Sequence, residues 1–540
     1  MIRTFLFARL SVLLLSGCAV NEGLEKETGV FASFPAQNGA VESRLDAVRN
    51  ITSMASSCFL PIGENGIHYK HTNVTEIQGW GPAAFTIAPD GSFWVADTAG
   101  YRVVEVLPNC RINRVISMPN HVVGIVDIEV DSNGIWVLDA AAQEPAVYMF
   151  DFDGRQRMHI VLGENAEAAT GLTRIDGTLS VEYEFGAYVE ELSDWNSNFT
   201  NRIHVYHKTG DHLVAAVPAD MSQPNASRGY IQMDGRIIPI EVEHSLGGLR
   251  YVGFAPDGSF YVMAEEVAYA DIIEVDRTVW RFNAKGDFTG IARVPLDENF
   301  VHVEHNVAVA TDGTPYVLIA REKSVEIRRL KFVDKLESIL PPWQDRTLDE
   351  EPVIPPSSCV SRTTIMNTAW AIRNNSKYLS STNTSGTCSG RGKPRYIGGA
   401  GTYKSVAYDW GGFDSLSAYN AAMSPGTGKA GDINTAGVES CSRGLDCSGF
   451  VSRAWQRTTK YGTSTLSQIS YQLSSTSSLR QGDVMNKSGS HVVLFERFAS
   501  SGIWTLEATT TNSYDRVVYI TRSWSNLSSY VPRRLNSVCP

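Results

Sequence analysis

The sequence predicts two unlike folded parts in one chain, an all-β propeller of five or six blades followed by an α+β domain. Three observations predict this. Short strands joined by Asp-Gly or Asn-Gly turns recur through residues 59–338 at intervals near forty residues. A proline-rich acidic stretch, ILPPWQDRTLDEEPVIPPSS, then fills residues 339–358. Beyond it the composition shifts to Ser, Thr and Gly, and one helix start stands out at Cys447. A chain of 540 residues, 43% hydrophobic and 19% charged, is long enough for several cores and too apolar to be disordered throughout. Charge divides along the same boundary. Residues 1–356 carry 28 Lys+Arg against 49 Asp+Glu, a net of −21, whereas residues 357–540 carry 19 against 9, a net of +10. No nucleic-acid reader motif accompanies the basic half, so a nucleic-acid partner is not expected.

Taken in chain order, residues 1–17 read as an export signal. Arg3 supplies the positive start, Leu10–Leu15 the apolar run, and Leu15-Ser16-Gly17-Cys18 resembles a bacterial lipobox in which Cys18 is the lipidated residue. Ala19 after the cysteine implies, by lipoprotein sorting rules, the outer membrane facing the periplasm. Such an anchor holds the chain to a membrane without spanning it. Residues 18–58 are polar and aperiodic, a tether. An exported chain has an oxidising environment. Setting aside Cys18 and Cys447, the remaining Cys58, Cys110, Cys359, Cys388, Cys441 and Cys539 are disulfide candidates. Pairing within domains favours Cys58–Cys110 and Cys359–Cys539, leaving Cys388–Cys441.

Residues 59–338 hold four clear copies of a strand–turn–strand pattern: FTIAPDGSFWVADTAGYRVVEV, IEVDSNGIWVLDAAAQEPAVYMFD, VGFAPDGSFYVMAEE and VAVATDGTPYVLIAREKSVEIRRL. Turn glycines at 91, 134, 177, 258 and 313 are spaced 43, 43, 81 and 55 apart, the long gap being about two repeats. Four short strands per repeat is the signature of a propeller blade. The VADTAGYRVVEV stretch resembles NHL and related propeller repeats. Such folds serve as recognition or scaffold platforms and sometimes as enzymes, so a protein or glycan ligand of the propeller is an open expectation. His302-Val-Glu304-His305 has metal-ligand residue types, but strand alternation would put His302 and Glu304 on one face and His305 on the other, and no metal site is expected.

The chemistry concentrates in residues 359–540. Phe450, Val451, Ala454 and Trp455 follow Cys447 at helical spacing, and Asp446 is an N-cap residue type, which places Cys447 in the first turn of a helix. The positive helix end favours thiolate there, the reactive form of a nucleophile; a buried structural cysteine is the plain alternative. Only one histidine, His491, follows residue 305. It opens an alternating strand, HVVLFE, and a second strand, IWTLEA, returns after Ser500-Ser501-Gly502. Pairing Glu496 with Gly502 would set His491 opposite Glu507 on one face, where Glu507 could orient the imidazole; a slip of one residue would flip Glu507 away.

DCSGFV (446–451), GDVM (482–485) and SHVVLFE (490–496), with Tyr408-Asp-Trp410-Gly-Gly upstream, resemble the NlpC-type family of papain-like cell-wall cysteine peptidases over roughly residues 405–510. The resemblance implies a papain-like α+β domain over 359–540, with Cys447 as nucleophile, His491 as general base and Glu507 in the third position. That family often has a second histidine where Glu507 stands. It also implies substrate contacts from Tyr408, Asp446, Trp410 and Ser448. A core position beside Trp410 is the lesser alternative for Tyr408; capping explains Asp446 without any substrate, and Ser448 is more often a helix first-turn residue than a participant. Residues 412–446 form a longer link than is usual there and could wall or cover the cleft. The activity implied is hydrolysis of amide bonds in peptidoglycan stem peptides, commonly the bond between γ-D-glutamate and the diamino acid. The competing expectation is a propeller-based binding lipoprotein whose second domain is silent or acts on another amide, as amidase or acyltransferase. A third is that the acidic propeller docks on the basic domain and restrains it. No cofactor is implied.

Overall fold

The computed structural model describes residues 57–342 and 359–539, apart from short stretches at 176, 193–201, 204–206, 210–211, 224–225, 386–387 and 425–426. The segment expected to be an export signal, with Cys18, nearly all of the expected tether and most of the proline-rich stretch therefore lie outside the described residues. Residues 51–540 form one compact unit.

Six four-stranded antiparallel sheets follow one another along residues 57–329 among the described residues, and they form a β-propeller. Five blades are continuous in sequence. Their innermost strands are Ala84–Ile87, Ile125–Val130, Ala169–Ile175, His207–Thr209 and Ser245–Phe254. The sixth blade runs Val307–Val309, Pro315–Ala320 and Ser324–Arg329, and takes its outer strand, Ser57–Pro61, from the start of the described chain. That strand closes the ring, so the boundary expected between tether and propeller falls slightly too late. The Cys58–Cys110 disulfide ties it to blade 1, Ala84–Ser117.

The blade turns show why the sequence pattern was periodic. Gly91, Gly258 and Gly313 sit at φ near +80°, where a side chain is strained. The aspartates before them accept the N–H two residues on: Asp90 from Ser92, Asp257 from Ser259, Asp312 from Thr314. Within a blade, inner strands are buried and the outer strand faces solvent, as in Ala146–Phe150 beside Gln156–Val161. The His302–His305 segment is a loop, with His302 Nε2 2.9 Å from Glu304 Oε2 and His305 hydrogen-bonded elsewhere, to the Thr170 carbonyl.

Among the described residues, 359–539 carry a six-stranded antiparallel sheet and four α-helices: α1 (Arg362–Arg373), α2 (Ser381–Thr384), α3 (Leu416–Ala422) and α4 (Cys447–Ala454). Along the sheet the strands Val484–Lys487, His491–Phe498, Ile503–Thr509 and Arg516–Arg522 are consecutive neighbours. Helix α4 lies on the middle of the sheet and against α1, with Phe450, Val451, Ala454 and Trp455 fully buried between them. Burying side chains the size of Val451 and Phe450 contributes about 1.5–3 kcal/mol each. Cys359–Cys539 and Cys388–Cys441 are paired as expected, leaving Cys447 as the free cysteine among the described residues. The 412–446 link is folded against residues 383–395: Asn383 Nδ2 donates to the Gly428 carbonyl (2.6 Å) and Arg391 Nε to the Gly431 carbonyl (2.8 Å).

The sheet region packs on the propeller face made by loops entering the inner strands and loops joining second to third strands. Val126, Leu138 and Leu172 share a continuous apolar core with Tyr514, Val517 and Ile520. Arg516 donates to the Ala141 and Ala142 carbonyls (2.7 and 3.0 Å), and Glu184 accepts from Trp504 Nε1 (2.6 Å) and the Ser500 N–H (2.7 Å). Two glycines permit the approach. A Cβ on Gly247 would lie 2.4 Å from the Trp524 ring, and one on Gly124 would lie 1.9 Å from the Asn512 carbonyl oxygen.

Candidate active site

Helix α4 begins at Cys447 because Asp446 caps it. Asp446 Oδ1 accepts the Gly449 N–H at 2.7 Å, and its other oxygen takes the Gly411 N–H (3.0 Å) and the Lys460 ammonium. Ser448 gives its hydroxyl to Asp446 Oδ1 (3.1 Å) and is fully buried, which fits the helix first-turn role. The N–H of Val492, beside His491, faces the thiol.

His491 and Glu507 meet as the sequence suggested, by a different register. Leu494 pairs with Leu506 and Phe495 with Thr505, two residues from the expected alignment, and Glu496 is bulged out where it was expected to pair with Gly502. A slip of two preserves the face. His491 Nε2 therefore lies 2.7 Å from Glu507 Oε2, with both residues buried. Glu507 also accepts Thr505 Oγ1 (2.8 Å), Arg522 Nε (2.8 Å) and Arg522 Nη2 (2.6 Å). Burial alone would raise the Glu507 carboxyl, but the Arg522 guanidinium and the His491 hydrogen bond hold it below the usual carboxylate range. With a carboxylate at Nε2, the imidazole carries its proton there and keeps Nδ1 as an acceptor. Arg522 and Thr505 escaped sequence reasoning. Each sits two residues from another strand residue of the same face, but nothing in the order of residues says which face Arg516–Arg522 turns to Glu507.

The thiol departs from expectation. Burial pushes the Cys447 thiol well up, with the Asp446 and Glu76 carboxylates adding to the rise. The helix end does not outweigh them. Cys447 Sγ donates to the backbone carbonyl of Glu76 (3.6 Å) and is completely buried. Tyr408 and Trp410 also converge on that segment. Tyr408 Oη donates to the Glu76 carbonyl (3.3 Å) and Trp410 Nε1 to the Thr75 carbonyl (3.3 Å). Glu76 belongs to the propeller's entry loop, 371 residues before Cys447, and carries no sequence signal of this placement.

Among the described residues the one grouping of potential metal ligands is Cys388, Glu439 and Cys441, whose two sulfurs form a disulfide.

No family model and no curated protein matches this sequence. Among solved structures, a member of the duf4221 family from Bacteroides vulgatus aligns at 11% identity over 52% of this chain and 98% of its own, with a TM-score of 0.34. Hydrazine synthase of Kuenenia stuttgartiensis aligns at 17% identity over 46% of this chain and 76% of its own, with a TM-score of 0.30. A catalytically inactive virginiamycin B lyase from Staphylococcus aureus aligns at 13% identity over 50% and 98%, also at 0.30.

Proposed function

We propose that this chain is a cysteine peptidase that hydrolyses amide bonds of peptidoglycan stem peptides, exported and anchored by lipid at Cys18, on the outer membrane facing the periplasm. The observation that carries the catalytic part is the buried His491–Glu507–Arg522 chain set beside the capped helix start of Cys447. Nδ1 of His491 takes the thiol proton as Sγ attacks the amide carbon; the same proton then goes to the departing amine, leaving a thioester that water cleaves. Tyr408 Oη donates to the carbonyl oxygen as charge develops there, a role supported by its present bond to the Glu76 carbonyl. The motif order from Tyr408 to His491, resembling the NlpC-type peptidases, supplies the substrate class. The propeller is assigned a recognition or scaffold role.

Complete burial of Cys447 favours a second reading, a binding lipoprotein with a silent hydrolase half. Incubating purified peptidoglycan with the mature protein and its Cys447→Ala variant, then resolving products by liquid chromatography and mass spectrometry, separates the two. Stem-peptide fragments that vanish in the variant support the peptidase. Intact muropeptides from a protein whose thiol is demonstrably reactive support the binding reading.

A further inference from the structure

The loop that covers Cys447 is built as a detachable closure. Its ends are fixed on the propeller: Lys70 and Trp80 exchange backbone hydrogen bonds of 2.8 and 3.0 Å, Tyr69 Oη donates to the Arg321 carbonyl (2.8 Å), and His68 Nδ1 lies 2.9 Å from Asp97 Oδ2. Between these ends the chain leaves the propeller, enters the cleft of the second half and returns. Glu76 is its tip, at φ +61°. Its N–H donates to the Gly489 carbonyl (3.1 Å), and its carboxylate accepts the Thr463 N–H (2.9 and 3.1 Å) and Thr463 Oγ1 (2.7 Å). Gly462 lies close beside it: a Cβ there would stand 3.1 Å from Glu76 Oε1, so the carboxylate would have to shift by a few tenths of an ångström.

The polar groups this tip satisfies belong to the cleft. Cys447 Sγ and Tyr408 Oη both donate to the Glu76 carbonyl, and Trp410 Nε1 donates to the neighbouring Thr75 carbonyl. A peptide substrate offers the same groups, an acyl carbonyl against the thiol and a preceding carbonyl one residue away. We propose that residues 72–79 are an autoinhibitory strap that occupies the acyl side of the cleft, with the Glu76 carboxylate latched on Thr463. The inference rests on the reading of Cys447 as the nucleophile. A strap held at both ends can lift without unfolding a blade, at the cost of a handful of hydrogen bonds and of the contacts Ile77 and Val74 make with the apolar core. An open cavity lies alongside, lined by Asn73 and Gln78 of the strap and by Lys487, Ser490 and Asn526 opposite, into which the strap can shift. The same occupancy accounts for a thiol that is buried and bonded to a carbonyl in place of His491.

The test is the rate at which iodoacetamide alkylates Cys447 in the full chain, followed by peptide mass spectrometry, for the wild type, Glu76→Ala and Thr463→Val. Thr463→Val removes one latch donor at constant shape, so it guards against a general loss of fold in the first variant; thermal midpoints check both. The strap predicts slow alkylation of the wild type and a gain on the order of tenfold or more in each variant. Equal rates in all three folded proteins would overturn it. So would scission of the Glu76–Ile77 bond in the wild type, seen by mass after reduction of Cys58–Cys110, since the segment would then be a substrate. Faster alkylation without stem-peptide release would uphold the strap and sink the peptidase reading.

Discussion

Replacing Glu507 by glutamine removes one negative charge from the centre of the buried chain while keeping the side chain's volume. Glu507 accepts four hydrogen bonds, two of them from Arg522, and is fully buried. The variant therefore leaves the Arg522 cation without its counter-charge, with only neutral acceptors around it: the glutamine's own oxygen, Asn526 Oδ1 at 2.9 Å and Gln78 Oε1 at 3.4 Å. Stranding one member of a buried ion pair costs about 3–5 kcal/mol. Unfolding entropy of about 2.1 cal/mol/K per residue, summed over residues 51–540, gives about 1 kcal/mol/K. The thermal midpoint should fall by about 3–5 °C in a calorimetric scan at pH 7. Catalysis should suffer more, because His491 loses the carboxylate that fixes its tautomer; in a Glu76→Ala background, stem-peptide release should drop on the order of 10²–10⁴-fold. The acid limb adds a sign. A folded-state pKa held below the usual range gives stability that is present above about pH 4.3 and is lost as pH falls through the folded value. The wild-type midpoint should then fall faster than the variant's below pH 4. A midpoint within about 1 °C of wild type together with an unchanged rate would refute the assigned role of Glu507.

Three further outcomes follow from the same structure. Glu184→Ala strands Trp504 Nε1 and the Ser500 N–H where the propeller meets the sheet; the loss of about 2–3 kcal/mol should appear as a midpoint lower by about 2–3 °C, and no change would mean the contact is not stabilising. Cys58→Ser with Cys110→Ser opens a 52-residue loop and should cost about 4 kcal/mol, read as a lower urea midpoint than wild type; equal midpoints would deny that the disulfide secures the closing strand. Burial raises Asp139 and Asp515 to about 6 and Asp409 and Glu129 to about 7. Between pH 4 and 7 the folded state thus binds protons that the unfolded chain has released, so stability falls as pH rises, and the thermal midpoint should be higher at pH 5 than at pH 8. The reverse order would contradict the burial of these carboxylates.

What the sequence disclosed follows from how local each device is. Asp-Gly turns repeat because a tight strand–strand turn uses a positive-φ glycine and an aspartate oxygen within four residues, as at Gly91, Gly258 and Gly313, so the repeat left a mark in the sequence. The fourth blade was hidden. Its inner strand, His207–Thr209, is three residues long, and the chain then runs Gly210-Asp211, the reverse of the repeated order. The closing strand Ser57–Pro61 was hidden because its partner, Ser324–Arg329, is some 270 residues away. Cys447 and Asp446 were legible as a helix start, and His491 as the single histidine of its half. The bulge at Glu496 was not, since a bulge leaves alternation intact on either side. Glu76 was beyond reach, because a loop tip that binds through its backbone carbonyl leaves no trace in residue type.

The central claim is that Cys447 cleaves stem peptides once the strap is off. It is tested most directly by stem-peptide release from purified peptidoglycan by the Glu76→Ala protein and by Glu76→Ala with Cys447→Ala, followed by liquid chromatography and mass spectrometry. The account predicts new fragments from the first protein, at a rate above wild type, and none from the second. Intact muropeptides from a folded Glu76→Ala protein whose Cys447 alkylates freely would contradict it.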